Sequence, residues 1–372
     1  MKYKLLAVSL VLLLVTIGIL GCQPSAPKDE GSVTTPKDEG TVTAPKNEGP
    51  ITISFALHDP PVGSYAPLHM GWAEEFEEKT GGRYKVEFAW GGAMGPIFET
   101  WELVNTGVAD IGFVLTNLEV ASFPLTSVLE LPFVATNSPE GGKVFWQLYE
   151  SGLLDSSYDD VKLLYGWNSL GERLFMPKGP ITGLANVKGK KIIATSPSSV
   201  TVVEALGGVP VSVALPEQYM AIQKGTADGS WSEWGTFAPY KLWEVLSYSI
   251  DPGLKSIALI AVMNKDTYEQ MPQDIQKIVD EMISSKKYVD WACQINFDVT
   301  SAARQEVLDR GGEITEWSAS DWDQIATNLA PAWQEWLSNI DSKGLDGQKV
   351  LDEAYKIMKG LGIDDPAIGY KP

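Results

Sequence analysis

Apolar and polar residues alternate along Ile51-Thr52-Ile53-Ser54-Phe55-Ala56, the period-two pattern of a strand with one buried face. After the Pro60-Pro61-Val62-Gly63 loop the spacing becomes helical from Ala66 to Lys79 and stops at Gly81-Gly82. A second strand is predicted over Tyr84–Trp90. Gly91-Gly92-Ala93-Met94-Gly95 then turns into a helix over Ile97–Thr106, and Ala109-Asp110-Ile111-Gly112-Phe113 leads a third strand. The alternation returns later. Lys191–Thr195 reads as a short buried strand, Ser196-Pro197-Ser198-Ser199 supplies N-cap chemistry, and Val200–Leu206 reads as a helix ended by Gly207-Gly208. Val209–Leu215 is a further apolar run, and Pro216 opens a helix over Gln218–Lys224. Such β-α alternation predicts α/β units that meet ligands at the carboxyl ends of their strands. Beyond Pro272 the pattern is almost wholly helical. Ile275, Ile278, Val279, Met282, Ile283, Val289, Ala292, Cys293 and Phe297 form one stripe, predicting a helix long enough to span more than one packing unit.

The N-terminus has a different pattern. Lys2 and Lys4 precede an apolar run over Leu5–Leu20 that ends in Ile19-Leu20-Gly21-Cys22, which resembles a bacterial lipobox with Cys22 as the lipidated residue. An uncleaved single-span anchor is the alternative, for which about sixteen apolar residues is slightly short. PKDEGSVTT, PKDEGTVTA and PKNEGP then repeat, too polar to offset ordering entropy, and predict a disordered tether over 23–50. At 372 residues and 44% hydrophobic content the rest suffices for two domains. A net charge of -19 without a basic stripe argues against nucleic-acid partners. The only other cysteine, Cys293, lies in the apolar stripe and reads as core.

Little in the chain suggests catalysis. His58 and His69 lack a cysteine or carboxylate at metal-like spacing, and no Gly-x-Ser-x-Gly elbow, phosphate loop or dinucleotide fingerprint occurs in a fitting context. The expectation is a binding protein without enzyme activity, cofactor or metal. His69 sits on a predicted helix and reads as structural, whereas His58 follows the first strand at a ligand-facing end. Among the 13 tryptophans, Trp90, Trp167, Trp231 and Trp234 lie near strand ends or turns and are candidates to wall a pocket.

Between Lys188 and Gly229 the chain reads Lys188-Gly189-x-Lys191-Ile192-Ile193, Leu206-Gly207-Gly208-Val209-Pro210 and Glu217-x-Tyr219-x-Ala221-Ile222-Gln223-x-Gly225-x-x-Asp228-Gly229. This closely resembles the second lobe of the solute-binding proteins of tripartite ATP-independent periplasmic (TRAP) transporters. Glu78-x-Thr80-Gly81-Gly82, Gly107-x-Ala109-Asp110-Ile111-Gly112 and Phe123-Pro124-Leu125 through Leu131-Pro132-Phe133 carry the resemblance into the first lobe. It implies an α/β, two-lobed, periplasmic-binding-protein-like fold with a long helix linking the lobes. Lobe 1 is expected over 51–170 plus about 258–297, and lobe 2 over 171–257 plus about 298–372. The implied function is capture of a small organic molecule between the lobes and delivery to a TRAP-type permease, the protein being extracytoplasmic and held to membrane lipid through Cys22. A sensor ectodomain of the same fold is the alternative.

The family's carboxylate-gripping arginine falls on Ile193. Arg173, in Gly171-Glu172-Arg173-Leu174-Phe175, matches a second arginine of the family that lies in the cleft. Three readings follow: Arg173 alone holds an acid, tryptophans hold a neutral or apolar solute, or a cation is set against Glu172 or Glu233. By position, the solute is expected to meet Arg173, Ser196, Trp231, Ser232, Glu233 and Trp234 from one lobe. From the other it would meet His58, Trp90, Thr116 and Asn117, with Trp167 and Asn168 near the hinge.

Overall fold

The structure, a computed structural model, describes residues 49–135, 139–251 and 253–363; Cys22 and nearly all of the repeat segment lie outside them. In chain order the first part forms β1 (Ile51–Ala56), α1 (Ala66–Lys79), β2 (Tyr84–Ala89), α2 (Thr100–Asn105), β3 (Ile111–Leu115), α3 (Val144–Glu150) and β4 (Val161–Asn168). There follow β5 (Arg173–Met176), β6 (Lys191–Ile193), α4 (Pro197–Ala205), β7 (Val209–Val211), α5 (Gln218–Gln223), β8 (Gly229–Ser232), α6 (Phe237–Tyr240) and β9 (Tyr248–Asp251). The last part is β10 (Ala258–Asn264), α7 (Lys265–Glu269), α8 (Gln273–Ser284), α9 (Lys287–Asp309), β11 (Glu313–Glu316), α10 (Ala319–Ser342) and α11 (Gly347–Gly360).

The strands make two sheets, ordered β2-β1-β3-β10-β4 and β11-β9-β5-β8-β6-β7. β1 runs parallel to β2 and β3, as the strand-helix alternation predicts, and β10 returns antiparallel between β3 and β4. In the second sheet β6 runs parallel to β7 and β8, whereas β5 is antiparallel to β8 and β9. The α/β, two-sheet arrangement expected from the sequence is therefore present. Each sheet has its own buried apolar layer: Phe55, Phe76, Phe113 and Trp167 on the first, and Phe175, Ile193, Trp234 and Phe237 on one face of the second.

Two differences from the sequence expectation have clear causes. The predicted continuous helix is two helices, because Lys286 takes a left-handed conformation at φ 55 between α8 and α9, and Phe297 is left 44% exposed. α9 alone does the spanning: it packs on α1 and β4 at one end and on β11 and residues 234–236 at the other. The helical C-terminal part is interrupted by β11, where Gly311 ends α9 at φ 81 and β11 joins the second sheet beside β9. α10 packs on α4, but its Trp336 donates to Ser127 at 2.8 Å, and α11 packs on α3 and residues 126–130. Within 298–363, expected in lobe 2, β11 and the α10–α4 contact lie with the second sheet, while α11 and Trp336 also reach the first sheet's side.

Gly166 of β4 marks the tightest point of the first layer, since a Cβ there would lie 2.3 Å from Phe145 and 3.0 Å from Ile260. Gly166→Ala is expected to destabilise the protein by about 1–3 kcal/mol through overpacking, read as a lowered urea midpoint with unchanged m-value.

Candidate functional site

The two sheets are joined by paired crossing segments. Between β4 and β5, Ser169 donates to Ile257 at 2.8 Å and Glu172 to Lys255 at 2.6 Å; Leu254 donates back to Glu172 at 2.9 Å. Side chains reinforce this ribbon. Lys255, fully buried, forms an ion pair with Glu172 at 3.0 Å and stands 3.8 Å from Glu130. The same Glu172 oxygen accepts from Trp231 Nε1 at 3.0 Å and from Ser199 at 3.1 Å.

Successive residues of a strand point to opposite faces, so Arg173 leaves Glu172 and turns toward α9. Its Nη1 donates to Asp251, its Nε and Nη2 donate to the Gly171 carbonyl at 3.1 and 2.9 Å, and its guanidinium lies 5.8 Å from the Trp234 ring. Burial lowers its pKa to about 10, which leaves it charged at pH 7. Arg304 of α9 donates to the other oxygen of Asp251. Two guanidiniums thus share one carboxylate.

Near this pair, groups at the strand ends of both sheets act on one another electrostatically: Asp59 after β1 and Tyr65 from the first, Glu233 after β8 and Tyr240 from the second. His58 lies beside Asp59 at 3.5 Å, and half-buried Trp90 follows β2 and stacks on Phe88. Tyr65 donates to Asn296 of α9 at 2.7 Å. His58 stacks on Phe113 with ring centres 5.2 Å apart, and burial holds its pKa below the usual value. Burial first, then the carboxylates of Glu172 and Asp59, push Glu233 up to about 8, so it is mostly protonated at neutral pH. Burial also raises Asp59.

The structure divides the expected site residues. Arg173 and Glu233 lie close enough to interact electrostatically, and Asp59, the neighbour of His58, acts on Glu233; Trp90 is half-buried at the end of β2. Trp231, Trp234 and Trp167 are at most 2% exposed, packed into the core rather than presenting open faces. Asn168 accepts from the Phe145 amide at 2.8 Å and donates to Ser256 at 3.0 Å, so both ends of its amide are engaged. Ser196 accepts from the Ser199 amide as the N-cap of α4, Thr116 donates to the Ala258 carbonyl at 3.1 Å, and Ser232 pairs with Thr236 at 3.1 Å. Asn117 is buried and lines a separate cavity. Ile193 is fully buried in the apolar layer with Trp234 and Phe237.

His69 is structural: its Nδ1 lies 2.7 Å from the Tyr165 hydroxyl, and burial lowers its pKa to about 3. Cys293 is buried, with its thiol pushed up to about 12. Among the described residues no cluster of His, Cys, Asp or Glu has the arrangement of a metal site. Asp59, Tyr65, Tyr240, Asp251 and Arg304 were not anticipated. Only Asp59 had a sequence signal, since it follows His58 at a predicted strand end; the others are brought in from distant elements.

The profile of the bacterial extracellular solute-binding proteins, family 7, matches residues 63–339. Among curated proteins, the outer membrane transporter protein TsaT of Comamonas testosteroni is 26% identical over 292 residues, covering 76% of this chain and 83% of that protein. A TRAP periplasmic solute-binding protein from Desulfovibrio salexigens superposes with a TM-score of 0.77 at 23% identity, over 84% of this chain and 97% of that one. A marine-metagenome TRAP solute-binding protein specific for aromatic acid ligands gives 0.76 at 22% identity, over 84% and 99%. At these identities the structural matches establish a shared fold.

The raised Glu233 gives a stability prediction. The unfolded side chain ionises near its ordinary value of 4.5 and the folded one only near 8. The native state therefore holds the extra proton between these values, and stability falls as pH rises through that window. Glu233→Gln is expected to match the parent's Tm at pH 4 and to exceed it by about 2 °C or more at pH 8, measured by differential scanning calorimetry.

Proposed function

The chain belongs to the bacterial extracellular solute-binding proteins of family 7, and we propose that its solute is a small organic acid whose carboxylate is held at Arg173. The observation that carries this reading is the charge count around Arg173. Arg173 and Arg304 together balance only one carboxylate, Asp251, and Glu233 is largely neutral at pH 7. One positive charge is left over in a poorly solvated place, which an incoming carboxylate neutralises. Protonated Glu233 supplies a further donor to the same anion. A ring or apolar body on the solute fits against His58 and Trp90, the half-buried rings at the strand ends, and Ile193 with Trp234 makes the wall apolar where the resemblance expects a second arginine. An aromatic acid, the ligand class of the marine-metagenome relative, satisfies both halves of this description.

Binding here is capture without turnover. Contacts from both sheets favour the closed arrangement of the lobes, which then presents the loaded protein to a TRAP-type permease. Cys22 serves as the lipid-bearing residue that holds the protein to the outer face of the membrane, with residues 23–50 as its tether. The family membership favours transport over sensing.

Calorimetric titration with benzoate and mandelate tests the anchor. Arg173→Ala is expected to weaken acid binding about tenfold to a hundredfold while leaving the corresponding amide unaffected, the loss of a charged hydrogen bond. Equal losses for acid and amide would refute it. Because Glu233 ionises near 8, acid affinity in the parent should also fall between pH 7 and pH 9, and Glu233→Gln should flatten that dependence. Cys22→Ser is expected to abolish incorporation of labelled palmitate into the protein, followed by immunoprecipitation; label retained in the variant would refute Cys22 as the lipid-bearing residue.

A further inference from the structure

A cavity that Arg173 does not line lies between residues 117–132, α4 and α10. Its volume is about 220 Å³, far above the ~10–15 Å³ that one water requires. One wall comes from Asn117 to Pro132 beside the first sheet, another from the first turn of α4, and the third from α10. Pro197, Thr201, Glu335 and Asn339 at its edge are exposed, so it opens to solvent there.

The interior chemistry is asymmetric. Leu131, Val202 and Trp336 supply apolar surface. Two buried side-chain oxygens have no hydrogen-bond donor among the described residues: Oε1 of Glu130, a residue 6% exposed, and Oδ1 of Asn117, 7% exposed. The other Glu130 oxygen is already engaged, accepting from Ser198 at 2.7 Å with Lys255 at 3.8 Å. No lysine or arginine lines the cavity, and Glu335 adds an acidic group at the rim. Buried acceptors without donors are costly, and a carboxylate oxygen is the most costly of them.

We infer that this cavity is a binding site for a small organic ammonium ion, with N–H donors on Glu130 Oε1 and Asn117 Oδ1 and an apolar body against Leu131, Val202 and Trp336. A cation suits it for three reasons. An ammonium carries only donors, matching the two unpartnered buried acceptors Glu130 Oε1 and Asn117 Oδ1. Its charge adds a charge-assisted hydrogen bond to Glu130. The indole of Trp336 is also a favourable neighbour for a cation. The site does not depend on the solute proposed for Arg173, because the two share no lining residue.

Benzylamine, an ammonium at pH 7, is the probe, with benzyl alcohol as its uncharged counterpart, both titrated calorimetrically into the whole chain. Benzylamine is expected to bind at least tenfold more tightly than benzyl alcohol. Ala332→Trp, which fills the cavity from a half-exposed position of α10, should weaken it at least tenfold, as should Glu130→Gln. Arg173→Ala should leave it unchanged within twofold. No binding at millimolar benzylamine, which would mark a cavity holding only water, overturns the assignment. So does binding that survives Ala332→Trp or that is lost in Arg173→Ala. If Glu130→Gln does not fold, the Ala332→Trp and benzyl alcohol comparisons decide the question alone.

Discussion

The ammonium of Lys255 is sealed in the protein between two carboxylates, and the arrangement of the lobes follows from how that charge is satisfied. It pairs with Glu172 on the neighbouring crossing segment and stands near Glu130 from the first-sheet side. Ser199 and Trp231, both from the second sheet's side, hold Glu172 in place. Removing one member of such a set leaves a buried charge uncompensated, a loss of about 3–5 kcal/mol. The backbone bonds between 169–172 and 254–257 would allow the ribbon to twist; the ion pair within it limits how far. A two-lobed receptor needs a connection that bends without coming apart, and a short ribbon clamped by one buried ion pair meets that need.

Much of the frame was readable from local patterns. β1 and α1 have the bounds predicted from alternation and from the Gly81-Gly82 stop, and the β6-α4-β7 order follows from the cap at Ser196 and the stop at Gly207. What failed depended on non-local pairing. β4, β5, β9 and β10 carry no clean alternation, because all but Lys162 of β4 and the ends of β9 are buried, and their identity comes from partners far along the chain. The break at Lys286 was invisible because a left-handed lysine has no composition signal of the kind glycine gives. The site shows the same division. Arg173 is named from the family resemblance and Glu233 as a possible partner for a cation, but nothing near either predicts that Asp251 and Arg304 complete the charge pattern.

The tryptophans show how position at a strand end can mislead. Both positions suggest that a ligand would meet them, but Trp231 lies within β8 and Trp234 in the short helical turn after it, and each packs against different partners. Trp231 became a hydrogen-bond donor to the hinge carboxylate, and Trp234 became a packing partner of Phe175, Phe237 and the Arg173 guanidinium. Both indoles are therefore engaged by the protein's own groups. Ile193 belongs to the same layer as Trp234. An arginine at that position would bring a second charge into an apolar cluster, so its replacement and the aromatic packing form one consistent arrangement.

Alternation also keeps the two sites apart. Glu172 and Arg173 are consecutive, one directed toward α4 and the Glu130 cavity, the other toward α9 and Asp251. Lys255 is tied to the first, and through Glu130 to the wall of the cavity, whereas Arg173 is satisfied by Asp251 and the Gly171 carbonyl. Two adjacent side chains of one segment thus serve separate sets of charges, and each site keeps its own counter-charges.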